Sequence, residues 1–214
     1  SGQAVAFISG GKEYGVIIAP KHLAFNDTEI NRTGVSVFMT EQQARENELR
    51  GTQASIEDAG ALGIMTAFNR VGITATNAHT GLLKNILRGE WGFKGLESQD
   101  FIMNPNYAVL KEYALNGGTM TTFTGENTMA AVSEKFAYWT TENVGQDTEL
   151  MSAIKQAMTW QAYALANSNA LDGMASSTRL VSVRTWYDNA LVAVQVVFAA
   201  LTVLAAAMYV LNDR

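Results

Sequence analysis

Residues 60–100 read GALGIMTAFNRVGITATNAHTGLLKNILRGEWGFKGLESQD. The periodicity of this stretch changes twice. Leu62–Ala67 is a short apolar run of the kind that a strand covered on both faces presents. From Thr80 to Trp91 the residues Leu82, Leu83, Ile86 and Leu87 recur at the spacing of a helix with one buried face. Gly95 then opens a further short strand that ends at Asp100. Strand, helix and strand at these lengths predict a β-α-β unit with parallel strands.

The same alternation continues on either side. Tyr14–Ala19 (YGVIIA) predicts a buried strand, and Thr40 followed by Glu41, Gln42 and Gln43 has the form of a capping box opening a polar helix towards Ala59. Pro105 suits the first turn of a helix that runs through Tyr107, Leu110 and Tyr113 and stops at Asn116-Gly117-Gly118. Thr119–Phe123 predicts another strand, followed by helices near Met129–Thr141 and Thr148–Ala166. The fold class is therefore α/β, with about four β-α units forming a parallel sheet covered by helices.

In such folds chemistry gathers at the C-terminal ends of the strands. Those ends are Pro20-Lys21-His22, Thr66-Ala67-Phe68-Asn69, Gln99-Asp100-Phe101 and Thr122-Phe123-Thr124. Together they place an ammonium, an imidazole, a carboxylate and aromatic rings on one rim, a set suited to holding a polyhydroxylated ligand around a nucleophile.

Composition narrows the function classes. The 214 residues are 48% hydrophobic and 16% charged, which excludes a disordered chain. Fifteen Lys and Arg against twenty Asp and Glu give a net charge of −5, so no nucleic-acid partner is expected. The absence of cysteine rules out disulfides, thiol nucleophiles and cysteine-metal sites. His22 and His79 alone leave little for a histidine-rich site, so neither a metal nor a cofactor is expected. The sequence opens Ser-Gly-Gln-Ala without an initiator methionine or signal peptide, which fits a processed or partial chain.

The end of the chain has a different composition. Ala190–Leu211 (ALVAVQVVFAALTVLAAAMYVL) has only Gln195 and Thr202 as polar residues. As a helix it would be about 33 Å long, enough to cross a hydrocarbon core of about 30 Å. Trp186, Tyr187 and Tyr209 lie where interfacial aromatics are expected. A transmembrane helix is the favoured reading over a long buried core helix or a dimerisation element. Three segments result: a barrel-type domain over 1–175, a linker over 176–189 and a span over 190–211.

At the strand ends the chain resembles a known family. Lys21-His22-Leu-Ala-Phe-Asn26-Asp-Thr-Glu29-Ile-Asn31-Arg32, the Gly60–Gly72 block with Met65, Phe68, Asn69 and Arg70, and Leu82-Leu83 through Arg88-Gly89-Glu90-Trp91-Gly92-Phe93-Lys94-Gly95 are similar to three ordered motifs of glycoside hydrolase family 3, the β-glucosidase family. The resemblance covers roughly Tyr14 to Gly125. It implies that the chain is the C-terminal half of a (β/α)8 TIM-type barrel. It further implies a retaining hydrolase that releases terminal β-linked glucose or a related sugar through a covalent glycosyl-enzyme on Asp100. Lys21, His22, Met65 and Phe68 would bind the sugar, with Phe68 replacing the family's usual Tyr. Arg32 is expected to pair with a carboxylate such as Glu29 or Asp27, Trp91 and Phe93 to pack under the strand, and His79 to sit at a helix start. Glu97, on the strand before the nucleophile, departs from the family's apolar pattern and needs a partner or an opening to water.

The resemblance also implies what lies elsewhere. The other half-barrel and the acid/base domain are expected in the same longer chain, and the substrate is a β-glucoside or oligosaccharide. The lipid bilayer is the second partner, with the catalytic domain on the extracytoplasmic side of the cell membrane. The alternative is a membrane-tethered, non-catalytic glycan-binding or assembly subunit.

Overall fold

The computed structural model describes residues 1–32, 34–101, 109–122, 137, 139–172, 179 and 181–212. It divides into two compact units, Ser1–Asp172 and Gly173–Arg214.

In the first unit, β1 (Lys21–Leu23), β3 (Gly63–Thr66) and β6 (Leu96–Gln99) form a parallel sheet in the order β1-β3-β6. Lys21 pairs with Met65 and Met65 with Ser98. A parallel bridge from Ser98 to Met120 adds a fourth position at the edge. The expected strand Thr119–Phe123 is represented by that bridge, and Phe123 lies outside the described residues. So do residues 123–125 at the end of the resemblance, the Pro105–Tyr107 part of the next helix and most of Met129–Thr141.

The first strand falls later than its apolar signal. Tyr14–Ala19 is not in the ladder, which begins when the Pro20 carbonyl accepts from Met65 N at 3.2 Å. Gly15 turns at φ +69 and its carbonyl is tied to Asn169 N, and the run is not buried as expected: Tyr14 and Val16 are exposed, and Ile18 alone packs against the core cluster. Before it stands a helix that the sequence pattern did not signal, α1 (Gly2–Glu13), containing Gly10 and Gly11 and burying Ile8.

The capping box is present: Thr40 Oγ1 accepts from Gln43 N at 3.2 Å and Gln43 Oε1 from Thr40 N at 3.4 Å. It starts α2 (Glu41–Gln43), which continues through a wider turn over Ala44–Glu48 into α3 (Arg50–Glu57). Helix α4 (Gly81–Glu90), also wound wider than a regular α-helix, buries Leu82, Leu83 and Leu87 against Ile64, Leu23, Trp91 and Phe93. Beyond β6 come α5 (Leu110–Leu115), α6 (Thr141–Gln146) and α7 (Thr148–Ala166), the last with the boundaries its periodicity predicts.

A second small sheet lies between β1 and α4 in the chain. β2 (Ser36–Val37) runs parallel to β4 (Arg70–Val71), and β4 pairs antiparallel with β5 (Thr74–Ala75). The two-residue loop Gly72-Ile73 with Gly72 at φ +60 makes this hairpin.

Arg88 locks the helical layer to the sheet. Its guanidinium donates to the carbonyls of Phe93, Gly95 and Gly117 and lies over the rings of Phe93 and Trp160. Burial lowers its pKa to about 10. At Gly95 the chain passes so close to the Leu62 backbone that a Cβ would collide with it. These two requirements account for the Arg and the last Gly of the LRGEWGFKG stretch.

The two faces of the sheet differ. Ile64, Thr66, Glu97 and Gln99 alternate onto the covered face and are buried. The other face carries the row Lys21, Met65, Ser98 and Met120, half-buried or exposed. In the second unit, α8 (Trp186–Asn212) is a 27-residue helix with no buried residue.

Candidate active site

Asp100 follows β6 on the open face and is 6% exposed. Its backbone N–H donates to Thr66 O at 3.1 Å, so the end of β3 fixes where the carboxylate stands. Oδ1 accepts from Phe101 N at 2.8 Å. Oδ2 makes no hydrogen bond among the described residues.

His22, on β1, brings Nε2 to 3.0 Å from that Oδ2. The approach is close but off the hydrogen-bond direction, so the bonding capacity of both atoms is still open. Burial lowers the His22 pKa below its ordinary value; Asp100 opposes the shift, while Lys21 and Arg32 add to it. The neutral form of the ring is favoured. Asn26 Nδ2 faces Nδ1 at 3.4 Å, which leaves the ring proton on Nε2, towards Asp100 and the open face.

Arg32 completes the group. Its Nη1 lies 3.2 Å from Glu29 Oε1 and 3.9 Å from Asp100 Oδ2, and its guanidinium covers one face of Phe68 at 4.5 Å from the centroid. The sequence pairing with Glu29 is present, but the residue reaches the carboxylate of Asp100 as well. The chain between His22 and Arg32 holds two residues in the left-handed region, Phe25 at φ 67 and Asn31 at φ 56. Asn adopts that conformation readily, whereas a buried Phe does so at a cost of roughly 1–3 kcal/mol, a strain typical of functional loops.

The expected sugar-binding residues divide accordingly. His22 and Phe68 meet at the Asp100 cluster, Phe68 with one ring face already taken. Lys21 is exposed, paired in register with half-buried Met65, and acts on the cluster through the charge it places near His22. His79 caps α4, its Nδ1 accepting from Leu82 N at 3.1 Å. Glu90 is held at the surface by both terminal nitrogens of Arg45, at 2.7 and 2.9 Å. Trp91 and Phe93 are core residues.

Glu97 answers the question its position raises. It is fully buried, neither carboxylate oxygen has a hydrogen-bond partner among the described residues, and burial raises its pKa to about 7. No group of ligating residues suited to a metal ion occurs among the described residues.

Residues 1–116 match the glycosyl hydrolase family 3 N terminal domain, and the chain belongs to that family. Beta-glucosidase B of Emericella nidulans is 38% identical over 98 residues, which make up 46% of this chain and 12% of that protein. A beta-glucosidase of Rhizobium radiobacter is 35% identical over 98 residues, with the same shares of 46% and 12%. The chain thus spans 12% of the length of these relatives. Among solved structures, a beta-glucosidase of Paenibacillus barengoltzii superposes with a TM-score of 0.68 at 23% identity, covering 83% of this chain and 20% of that one. Beta-glucosidase 3B of Thermotoga neapolitana, in complex with alpha-D-glucose, gives 0.65 at 22% identity over 78% of this chain and 23% of that one. The fold is accordingly of α/β, TIM-barrel type.

Proposed function

We propose that this chain is part of a retaining β-glucosidase in which Asp100 is the nucleophile. Asp100 Oδ2 attacks the anomeric carbon, the aglycone oxygen leaves with a proton from a general acid, and water then displaces the Asp100 carboxylate from the face the aglycone left. The observation that carries the reading is Oδ2 itself: a carboxylate oxygen fixed at a strand end, free of hydrogen bonds, with an imidazole N–H and a guanidinium beside it. Relatives named as beta-glucosidases support the substrate, a terminal β-linked glucose or similar sugar.

His22 Nε2–H and Arg32 would hold the ring hydroxyls nearest the nucleophile, and Lys21 and Met65 would line the open sheet face beside them. The second half-barrel and the acid are assigned to parts of a longer protein, in keeping with the small share of the relatives that these residues span. The domain is tethered: α8 is about 40 Å long, exceeds the roughly 30 Å of a hydrocarbon core, and is flanked by Trp186 and Tyr187 at one end and Tyr209 near the other. The catalytic unit is assigned to the extracytoplasmic side, where oligosaccharide substrates are met, with 190–211 as the span.

The test is hydrolysis of an aryl β-glucoside by the full-length protein. Asp100→Asn should lower kcat by several orders of magnitude without loss of fold. Unchanged turnover would refute the assignment, and a full-length protein that binds glucose but hydrolyses nothing would leave it a tethered binding subunit.

A further inference from the structure

The face of the sheet's unit opposite Asp100 has a cavity of its own. The N-terminal ends of β3 and β6 frame a space of about 310 Å³, at the lower end of the range for small-ligand sites. Four-residue strands, about 13 Å long, separate it from the Asp100 cluster. Lys12 comes from the last turn of α1, Gly60 from the loop before β3, Trp91 and Lys94 from the loop before β6, and Tyr163 and Asn167 from the end of α7 and just beyond.

The side chains that line this space are weighted towards donors: two ammonium groups, an indole N–H and a phenol O–H. No carboxylate lines it, in a chain whose net charge is −5. Neither Lys12 nor Lys94 has an ion pair or hydrogen bond among the described residues. The cavity is also shaped by its backbone. Gly60 at φ +64 and Gly92 at φ +61 let both loops fold back beneath the strands. At Gly60 the space a Cβ would need is taken by Lys12 Nζ, so this exposed lysine folds back over the loop. Both ammonium groups line the cavity and no residue lining it carries a negative charge, so an anion there would meet only charge of the opposite sign.

We propose that this cavity binds a small oxyanion, a phosphate ester or carboxylate no larger than a monosaccharide derivative. Lys12 and Lys94 share its charge, and Trp91 and Tyr163 pack against and hydrogen-bond its body. The site is independent of the glycosidase reading and of the residues assigned to it.

The test is titration of the full chain, in detergent, with inorganic phosphate, glucose 6-phosphate, glucuronate and glucose, following the Trp91 indole N–H resonance. The expected result is a saturable shift with each anion at millimolar concentration or below, and none with glucose. Tighter binding of glucose 6-phosphate than of glucuronate would assign the phosphate class, and the reverse order the carboxylate class. Lys12→Gln with Lys94→Gln should weaken binding about tenfold or more, Lys94→Arg should retain it, and Asp100→Asn should leave it unchanged. Equal affinity in the double glutamine variant, a shift that never saturates, or equal binding of glucose would overturn the proposal. A thermal melt of each variant separates lost binding from lost fold.

Discussion

His22 Nε2 and Asp100 Oδ2 stand 3.0 Å apart although their strands are not neighbours: β1 and β6 flank β3, and the contact reaches across the end of that central strand. The Asp100 N–H bond to Thr66 O and the Lys21–Met65 register bring both side chains to β3. The site is thus a product of sheet register, and each partner can be tested separately.

Removing the imidazole should weaken transition-state binding. His22→Ala is expected to lower kcat/KM by about 1–3 kcal/mol, roughly 5- to 150-fold. Asn26→Leu should produce a smaller loss, because it frees the ring to adopt the other tautomer while leaving Nε2 in place. Steady-state kinetics on the full-length protein check both, and equal losses from the two variants would contradict the tautomer argument.

The ionisation of His22 can be read without any turnover. Lys21 holds the imidazole pKa down, so Lys21→Met should raise it. Asp100→Asn should lower it further, since the carboxylate is the group that favours the charged ring. An NMR titration of the imidazole protons measures both shifts, which are expected to have opposite signs.

Stability should fall as pH rises through the range set by Glu97. Its pKa is about 7 in the fold against 4.5 when unfolded, so below 4.5 both states are protonated and there is no penalty. Between the two values the unfolded chain ionises first, and above 7 the full penalty of about 3 kcal/mol applies. Urea unfolding at pH 5 and pH 8 should show a larger loss for the native sequence than for Glu97→Gln. A variant with the same pH dependence would mean that Glu97 finds a partner for its charge.

Arg88 should be costly to remove. Arg88→Met leaves the carbonyls of Phe93, Gly95 and Gly117 without their donor, and a loss of about 3 kcal/mol or more is expected from unsatisfied buried groups. The denaturation midpoint measures it directly, and a change within about 0.5 kcal/mol would show these contacts to be replaceable.

What was legible in the sequence followed from periodicity and local chemistry. Leu82, Leu83 and Leu87 mark α4 by spacing alone, the Thr40–Gln43 box marks its own helix start, and α7 is delimited by Asp147 and Asn167. Tyr14–Ala19 misplaced the first strand because an apolar run reads as burial, whereas Tyr14 and Val16 are exposed and the ladder begins only at Pro20. The β4–β5 hairpin is two residues per strand, too short for any alternation to register. Asp100, His22 and Phe68 were found as strand-end residues, whereas the reach of Arg32 to Asp100 depends on a loop conformation that includes Phe25 in the left-handed region. No local pattern encodes that.

The tail gives a separate prediction. The full chain should require detergent, and a version ending near Ser182 should be released with its fold intact, as α8 buries none of its residues. Fractionation with and without detergent decides it; a full chain that stays soluble, or a truncated one that unfolds, would make α8 a core or dimer helix.

The central claim rests on one oxygen atom. A 2-deoxy-2-fluoro-glucoside with a good leaving group, incubated with the full-length protein, should trap the glycosyl ester, and peptide mass spectrometry should place it on Asp100. Labelling of another carboxylate, or none in a protein that hydrolyses β-glucosides, would contradict the account.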